Sequence, residues 1–119
     1  MKEVLVLGAS VKEERYSNKL VRKLLANGYL PIAHGRREGR IGPIDIQTEL
    51  PKENTFHAIS IYLSAKNQRP FEAYILSSNS EKILFNPGAE NEDLFNRCLE
   101  KGLNPENACS LVQLSIGIL

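Results

Sequence analysis

Short apolar runs alternate with stretches of helical repeat along this chain, and that alternation limits the fold more than any other feature. Val4 to Leu7 is a continuous apolar run halted by Gly8, the pattern of a strand covered on both faces. From Tyr16 to Asn27 the repeat is helical, with Leu20, Val21, Leu24 and Leu25 on one side and Lys19, Arg22 and Lys23 on the other. Gly28 supplies the stop. Leu30 to Ala33 predicts a second strand, and Ile44 to Ile46, between Pro43 and the turn-prone Pro51 to Asn54, predicts a short edge strand. Ala58 to Leu63 predicts a third strong strand. Helical spacing returns at Phe71, Tyr74 and Ile75 behind Pro70, and Ile83 to Phe85 predicts another strand. The next helix is predicted to start at Asn91 as N-cap, with Glu92 and Asp93 in its first turn and Leu94, Phe95, Cys98 and Leu99 as its buried face. Leu103 to Ala108 is expected as a last strand, weakened by Pro105, and Leu111 to Leu119 as a final helix or a segment lying on the sheet.

This order predicts right-handed crossovers and a mostly parallel sheet with helices on both faces, a three-layer α/β fold of the Rossmann type. At 119 residues, with no linker or repeat, the chain is expected to form one domain, 1–119. A net charge of +1 gives no general reason to expect nucleic acid or an acidic membrane surface as partner. No apolar run approaches the length of a membrane-spanning helix. Cys98 and Cys109 lack metal-type spacing and follow no secretory leader, so free thiols and a cytoplasmic location are expected.

In open parallel sheets, ligands bind beyond the carboxyl ends of the strands, where strand order reverses. After the first strand stand Gly8-Ala9-Ser10, with Ser10 and Glu13 where a dinucleotide fingerprint would place further glycines. The loop to Tyr16 is long and polar, leaving room for a bulky ligand. Arg15 and Ser17 at the helix start bring a cation, a hydroxyl and free N–H groups, which suits phosphate; Ser17 reads equally as a plain helix cap. The second strand ends in His34-Gly35-Arg36-Arg37, where an acid would be needed to hold a free ribose hydroxyl. Two adjacent arginines suit a ribose that carries its own phosphate, which points to coenzyme A or NADP rather than NAD. The turns Ser64 to Gln68 and Asn86 to Asn91 are expected to line the same cleft, Asn67 and Asn86 framing it, Asn86 bonding a base or an amide arm and Gly88 admitting close backbone approach. No metal set, Ser-His-Asp order or Walker loop can be read, and His57 and Cys109 are read as structural.

Several blocks then match a known family. Val6 to Ser10 with Arg15-Tyr16-Ser17, Tyr62 to Gln68, Phe85 to Asn91 and Ala108 to Val112 together resemble the small stand-alone CoA-binding proteins, similar to the CoA-binding domain of succinyl-CoA synthetase alpha subunits. The resemblance implies a five-stranded parallel sheet and a coenzyme A site in the loops after the strands. It implies contacts from Gly8, Ala9, Ser10, Arg15, Ser17, Asn86, Pro87 and Gly88, and Tyr16, Gly35, Leu63 and Lys66 stand in or beside the same turns. The second strand departs from the family's usual Pro-Val-Asn or Pro-Val-Gly ending, reading Ala33-His34-Gly35-Arg36 instead. The expectation is a non-catalytic or accessory module for coenzyme A or an acyl-CoA. Two rivals stand beside it: an NADP-dependent reductase using Tyr62 or Lys66 as proton donor, and a regulatory module with a vestigial cleft. Whether a protein partner or a second copy is needed is left open.

Overall fold

The apolar runs form the centre of a seven-stranded sheet in a computed structural model, which describes residues 1–119. Strands β1 (Glu3–Leu7), β2 (Leu30–His34), β5 (Ala58–Ile61) and β6 (Lys82–Phe85) carry the core. Three shorter strands flank them, β3 (Gly39–Ile41), β4 (Ile44–Gln47) and β7 (Pro105–Asn107). The spatial order is β3-β4-β2-β1-β5-β6-β7, and every pairing is parallel except β3 with β4. The helices are α1 (Tyr16–Ala26), α2 (Ala65–Gln68), α3 (Glu72–Leu76), α4 (Glu92–Glu100) and α5 (Ser110–Ser115), with a single 3-10 turn, Arg69–Phe71, joining α2 to α3.

Strand side chains alternate between two faces, and here both faces are covered. Val4, Val6, Ala33, Ala58 and Leu84 pack against Leu20, Val21 and Leu24 of α1 and Leu114 of α5. Leu5, Leu7, Ile59, Ile61, Ile83 and Phe85 pack on the opposite side against Ile75, Leu94 and Cys98. The continuous apolar runs follow from this, because neither side of β1, β5 or β6 meets water. Asn91 caps α4 as expected, its Oδ1 accepting the Leu94 N–H at 3.1 Å. Leu99, expected in the buried face of that helix, is exposed instead. The tail realises both expectations: α5 is helical, and Leu119 beyond it is buried in the first core. His57, at the entry to β5, is structural: Nδ1 faces Glu81 Oε2 at 2.6 Å and Nε2 faces the Leu119 carbonyl at 2.9 Å.

The strand count of five and the edge position of Ile44–Ile46 are corrected. Gly42 takes φ +58° and turns the chain back on itself, so Gly39–Ile41 pairs outside β4 in an antiparallel hairpin. Arg40 Nε meets Asp45 Oδ1 at 3.1 Å across it, and Ile41 and Ile46 enter the first core. Pro105 does not break β7. Ladder bonds there use the Asn104 carbonyl, which accepts from Ile83 N–H, and the Ala108 N–H, which donates to Phe85, so the missing N–H of Pro105 faces away from β6.

Candidate functional site

Strand β1 has β2 on one side and β5 on the other, so the chain order reverses between the ends of β1 and β5. Open α/β sheets bind ligands in a crevice at such a reversal, at the carboxyl rim, and the expected contact residues lie at this rim, on the loops after the strands or, for Tyr16, Ser17, Lys66 and Asn67, at the starts of α1 and α2.

On the β1–β2 side, Gly8 leaves the strand at φ +92°, a conformation that side chains disfavour. The N–H groups of Gly8 and Ala9 both donate to the His34 carbonyl, at 3.0 and 2.9 Å. These amides are thus committed to the protein. Gly35 lies against the same turn: a Cβ there would stand 2.6 Å from the Ala9 carbonyl oxygen and 3.0 Å from Ile46 Cγ2. Its lack of a side chain lets the two loops touch. Further along, the Val11 side chain lies over Gly39, where a Cβ would meet Cγ1 at 2.5 Å. Asn18 Nδ2 donates to the Ser10 carbonyl at 2.8 Å, and Arg22 Nη2 to the Glu13 carbonyl at 2.9 Å, fixing the long loop onto α1.

Helix α1 begins after Arg15, which holds the N-cap position without a side-chain bond. Ser17 lies inside the first turn and is buried, so the capping alternative does not hold. The N–H groups of Tyr16, Ser17 and Asn18 take no backbone partner, which leaves the positive end of the helix unsatisfied. Arg15, Arg36 and Arg37 are exposed and enter none of the ion pairs, whereas Arg40 and Arg97 are paired with carboxylates. His34, behind this rim, bonds the Thr48 carbonyl through Nε2 at 3.0 Å and meets Phe71 edge-on. Burial holds its imidazole below the usual value, partly opposed by the Thr48 bond.

On the β5–β6 side, Lys66, Asn67, Pro87 and Gly88 are exposed, with Gly88 at φ +95° and its N–H on Glu90 Oε1 at 2.9 Å. Leu63 is half-buried against the second core. Asn86 is placed differently from the expectation of a base or amide contact. It is 1% exposed. Its Nδ2 donates to Ser60 Oγ and the Ile61 carbonyl, both at 2.9 Å, and its Oδ1 accepts the Ser110 N–H at 2.8 Å. The Asn86 amide therefore ties the end of β6 to β5 and to the start of α5. The Tyr62 hydroxyl lies buried near Ser60 and Ser110 without a well-formed hydrogen bond, and burial pushes it up to about 12. Gln68, not among the expected contacts, is fully buried beneath this half of the rim. Its place in the Lys66-Asn67-Gln68 block was the only trace of it in the sequence.

Two open depressions lie elsewhere on the surface. One, of about 790 Å³, is lined by Glu38, Asp45 and Glu49 along with Arg40 at the β3–β4 hairpin, and its acids do not suit a phosphate. The other, of about 260 Å³, lies between α2 and α4. The helix-end and arginine chemistry belongs to neither, so concavity alone does not locate the site.

A family model described as a CoA binding domain matches residues 2–115. An uncharacterized protein of known crystal structure is similar over 100% of this chain and 98% of its own, at 34% identity and a TM-score of 0.93. A protein from Thermus thermophilus is similar over 99% of this chain and 90% of its own, at 15% identity and a TM-score of 0.85. A hypothetical protein from Pyrococcus horikoshii is similar over 97% of this chain and 82% of its own, at 17% identity and a TM-score of 0.84. The last two show a shared fold alone. No curated protein matches the chain.

Proposed function

This chain belongs to the CoA binding domain family, and from that premise we propose that its rim holds coenzyme A or an acyl-CoA as a small accessory module without catalysis of its own. The observation that carries the reading is the meeting of unpaired cations with unpaired amides. Arg15, Arg36 and Arg37 have no carboxylate partners. The N–H groups of Tyr16 to Asn18 are unpartnered beside Arg15. The Gly35–Ala9 approach brings the Arg36 loop against the turn after β1, from which the chain runs on to the start of α1. Pyrophosphate is held by the α1 amides rather than by Gly8 and Ala9, whose N–H groups are spent on His34. Arg36, with Arg37, takes the 3′-phosphate through a planar fork. Asn86 holds the end of β6 in place from within and Leu63 borders the crevice, while Ser10, Lys66, Asn67, Pro87 and Gly88 offer exposed or half-exposed surface to the rest of the cofactor.

The NADP reductase reading needs a proton donor at the crevice. The Tyr62 hydroxyl is turned into the protein and pushed up to about 12 by burial, so Tyr62 is a poor acid there, and that reading is left to the exposed Lys66 of α2.

Thermal unfolding with added cofactor tests the proposal. At a hundred times its Kd, coenzyme A should stabilise the protein by about 2.7 kcal/mol, a rise in Tm of several degrees. Arg36→Ala should weaken coenzyme A about tenfold and dephospho-coenzyme A far less. A rise with NADP and none with coenzyme A would move the assignment to the reductase reading, and silence with both would favour the module with a vestigial cleft.

A further inference from the structure

We propose that Gln68 is a positioning residue whose side-chain amide locks the β5–α2 and β6–α4 turns together and so presets one wall of the crevice that opens between β1 and β5. The inference rests on the coenzyme A reading for its ligand but not for its geometry.

Gln68 is the one polar residue among the largest fully buried side chains, at 0% exposure. Burying an amide is unfavourable unless its groups are bonded, and here every kind of group is. Nε2 donates to the Leu63 carbonyl at 2.8 Å and to the Ala89 carbonyl at 2.7 Å. Oε1 accepts from Asn91 Nδ2 at 2.8 Å. Leu63 belongs to the turn after β5, and Ala89 and Asn91 to the turn after β6. The main-chain ladder between the two strands ends where Asn86 N–H meets the Ile61 carbonyl at 3.3 Å. Beyond it, the hydrogen bonds from one turn to the other all pass through Gln68.

The lock extends to the helices. Gln68 is the last residue of α2. Asn91 holds the first turn of α4 through Oδ1 on Leu94 N–H, so the same side chain that bonds Gln68 also caps that helix. A fully satisfied buried network of this kind rigidifies what it joins, and rigid turns spare a ligand the cost of ordering them. The exposed groups on these turns, Lys66, Asn67, Pro87 and Gly88, are thus held at a fixed separation before any ligand arrives.

Two variants test this. Gln68→Leu keeps the apolar stem and removes the amide. Asn91→Ser keeps a good helix cap and removes only the donor to Oε1, so it serves if the first variant does not fold. Hydrogen exchange should show the amides of residues 62–68 and 86–91 losing protection together in both. Affinity for coenzyme A should fall about tenfold in Gln68→Leu and about threefold in Asn91→Ser, following the loss of buried partners. Affinity for adenosine 3′,5′-bisphosphate, read by the arginine side of the rim, should stay at the wild-type value. Equal loss for both ligands would make Gln68 merely structural, and turns that keep their protection would overturn the coupling. Should the wild-type protein bind neither ligand, the coenzyme A reading fails, and hydrogen exchange alone then decides for or against the lock.

Discussion

Replacing Asn86 with alanine should destabilise the protein strongly while leaving the cofactor affinity of the folded molecules nearly unchanged. The magnitude follows from what each partner keeps. The Ser110 N–H has no other acceptor than Asn86 Oδ1, so the variant strands a buried donor at the start of α5. Ser60 Oγ keeps its bond to Ser110 Oγ at 2.7 Å, and the Ile61 carbonyl keeps the Asn86 main-chain N–H at 3.3 Å. A stranded buried donor costs about 1–3 kcal/mol and each lost bond about 1 kcal/mol, so the total is about 4 kcal/mol. Domains have about 5–15 kcal/mol to lose, so the variant still folds. At this chain length the change lowers Tm by more than about 10 °C. Urea unfolding gives the stability, and calorimetric titration with coenzyme A below the new transition gives the affinity. A variant within about 1 kcal/mol of wild type that had lost its affinity would return Asn86 to the role of ligand contact.

Gly35→Ala should cost about 2 kcal/mol, because its Cβ would meet the Ala9 carbonyl at 2.6 Å and that carbonyl cannot retreat without disturbing the Gly8 and Ala9 bonds to His34; an unchanged urea midpoint would refute the close approach. The buried His34 gives a pH dependence of fixed sign. Its folded value lies below the ordinary 6.5, so on acidification the unfolded chain takes the proton first. Its stabilising share is present above 6.5 and is lost as the pH falls from there through the folded value. His34→Gln should flatten the decline in urea midpoint between about pH 7 and pH 5, and equal slopes for the two proteins would refute this origin.

The fold was legible wherever the apolar pattern came from burial on both sides, as in Val4–Leu7 and Ile83–Phe85. It failed at Gly39–Ile41, a three-residue strand whose only clues were the Gly42-Pro43 turn and the opposed Arg40 and Asp45. Strand propensity cannot register so short a piece, since the hairpin is held by cross-strand contacts. At the rim, the sequence picked out the loops that follow the strands but not the hydrogen bonds each residue makes there. Whether the amides of Gly8 and Ala9 are free depends on where the His34 carbonyl lands. Whether Asn86 faces a ligand depends on the neighbouring Ser60 and Ser110. Gln68 carries no signal of its role in the sequence because a polar residue beside a turn is usually solvated, and only packing against both turns buries it.

An open sheet carries a hazard that its central strands do not reveal, since each unpaired margin is a template for a foreign chain. Here both margins are only three residues long. One begins with Pro105, which has no N–H to offer an incoming strand. The other bears the outward Arg40–Asp45 charges, which a docking backbone would have to strip of water. Recruitment into fibrils or strand-swapped polymers is therefore disfavoured at both ends, and the proline expected to weaken β7 serves instead as a guard against aggregation.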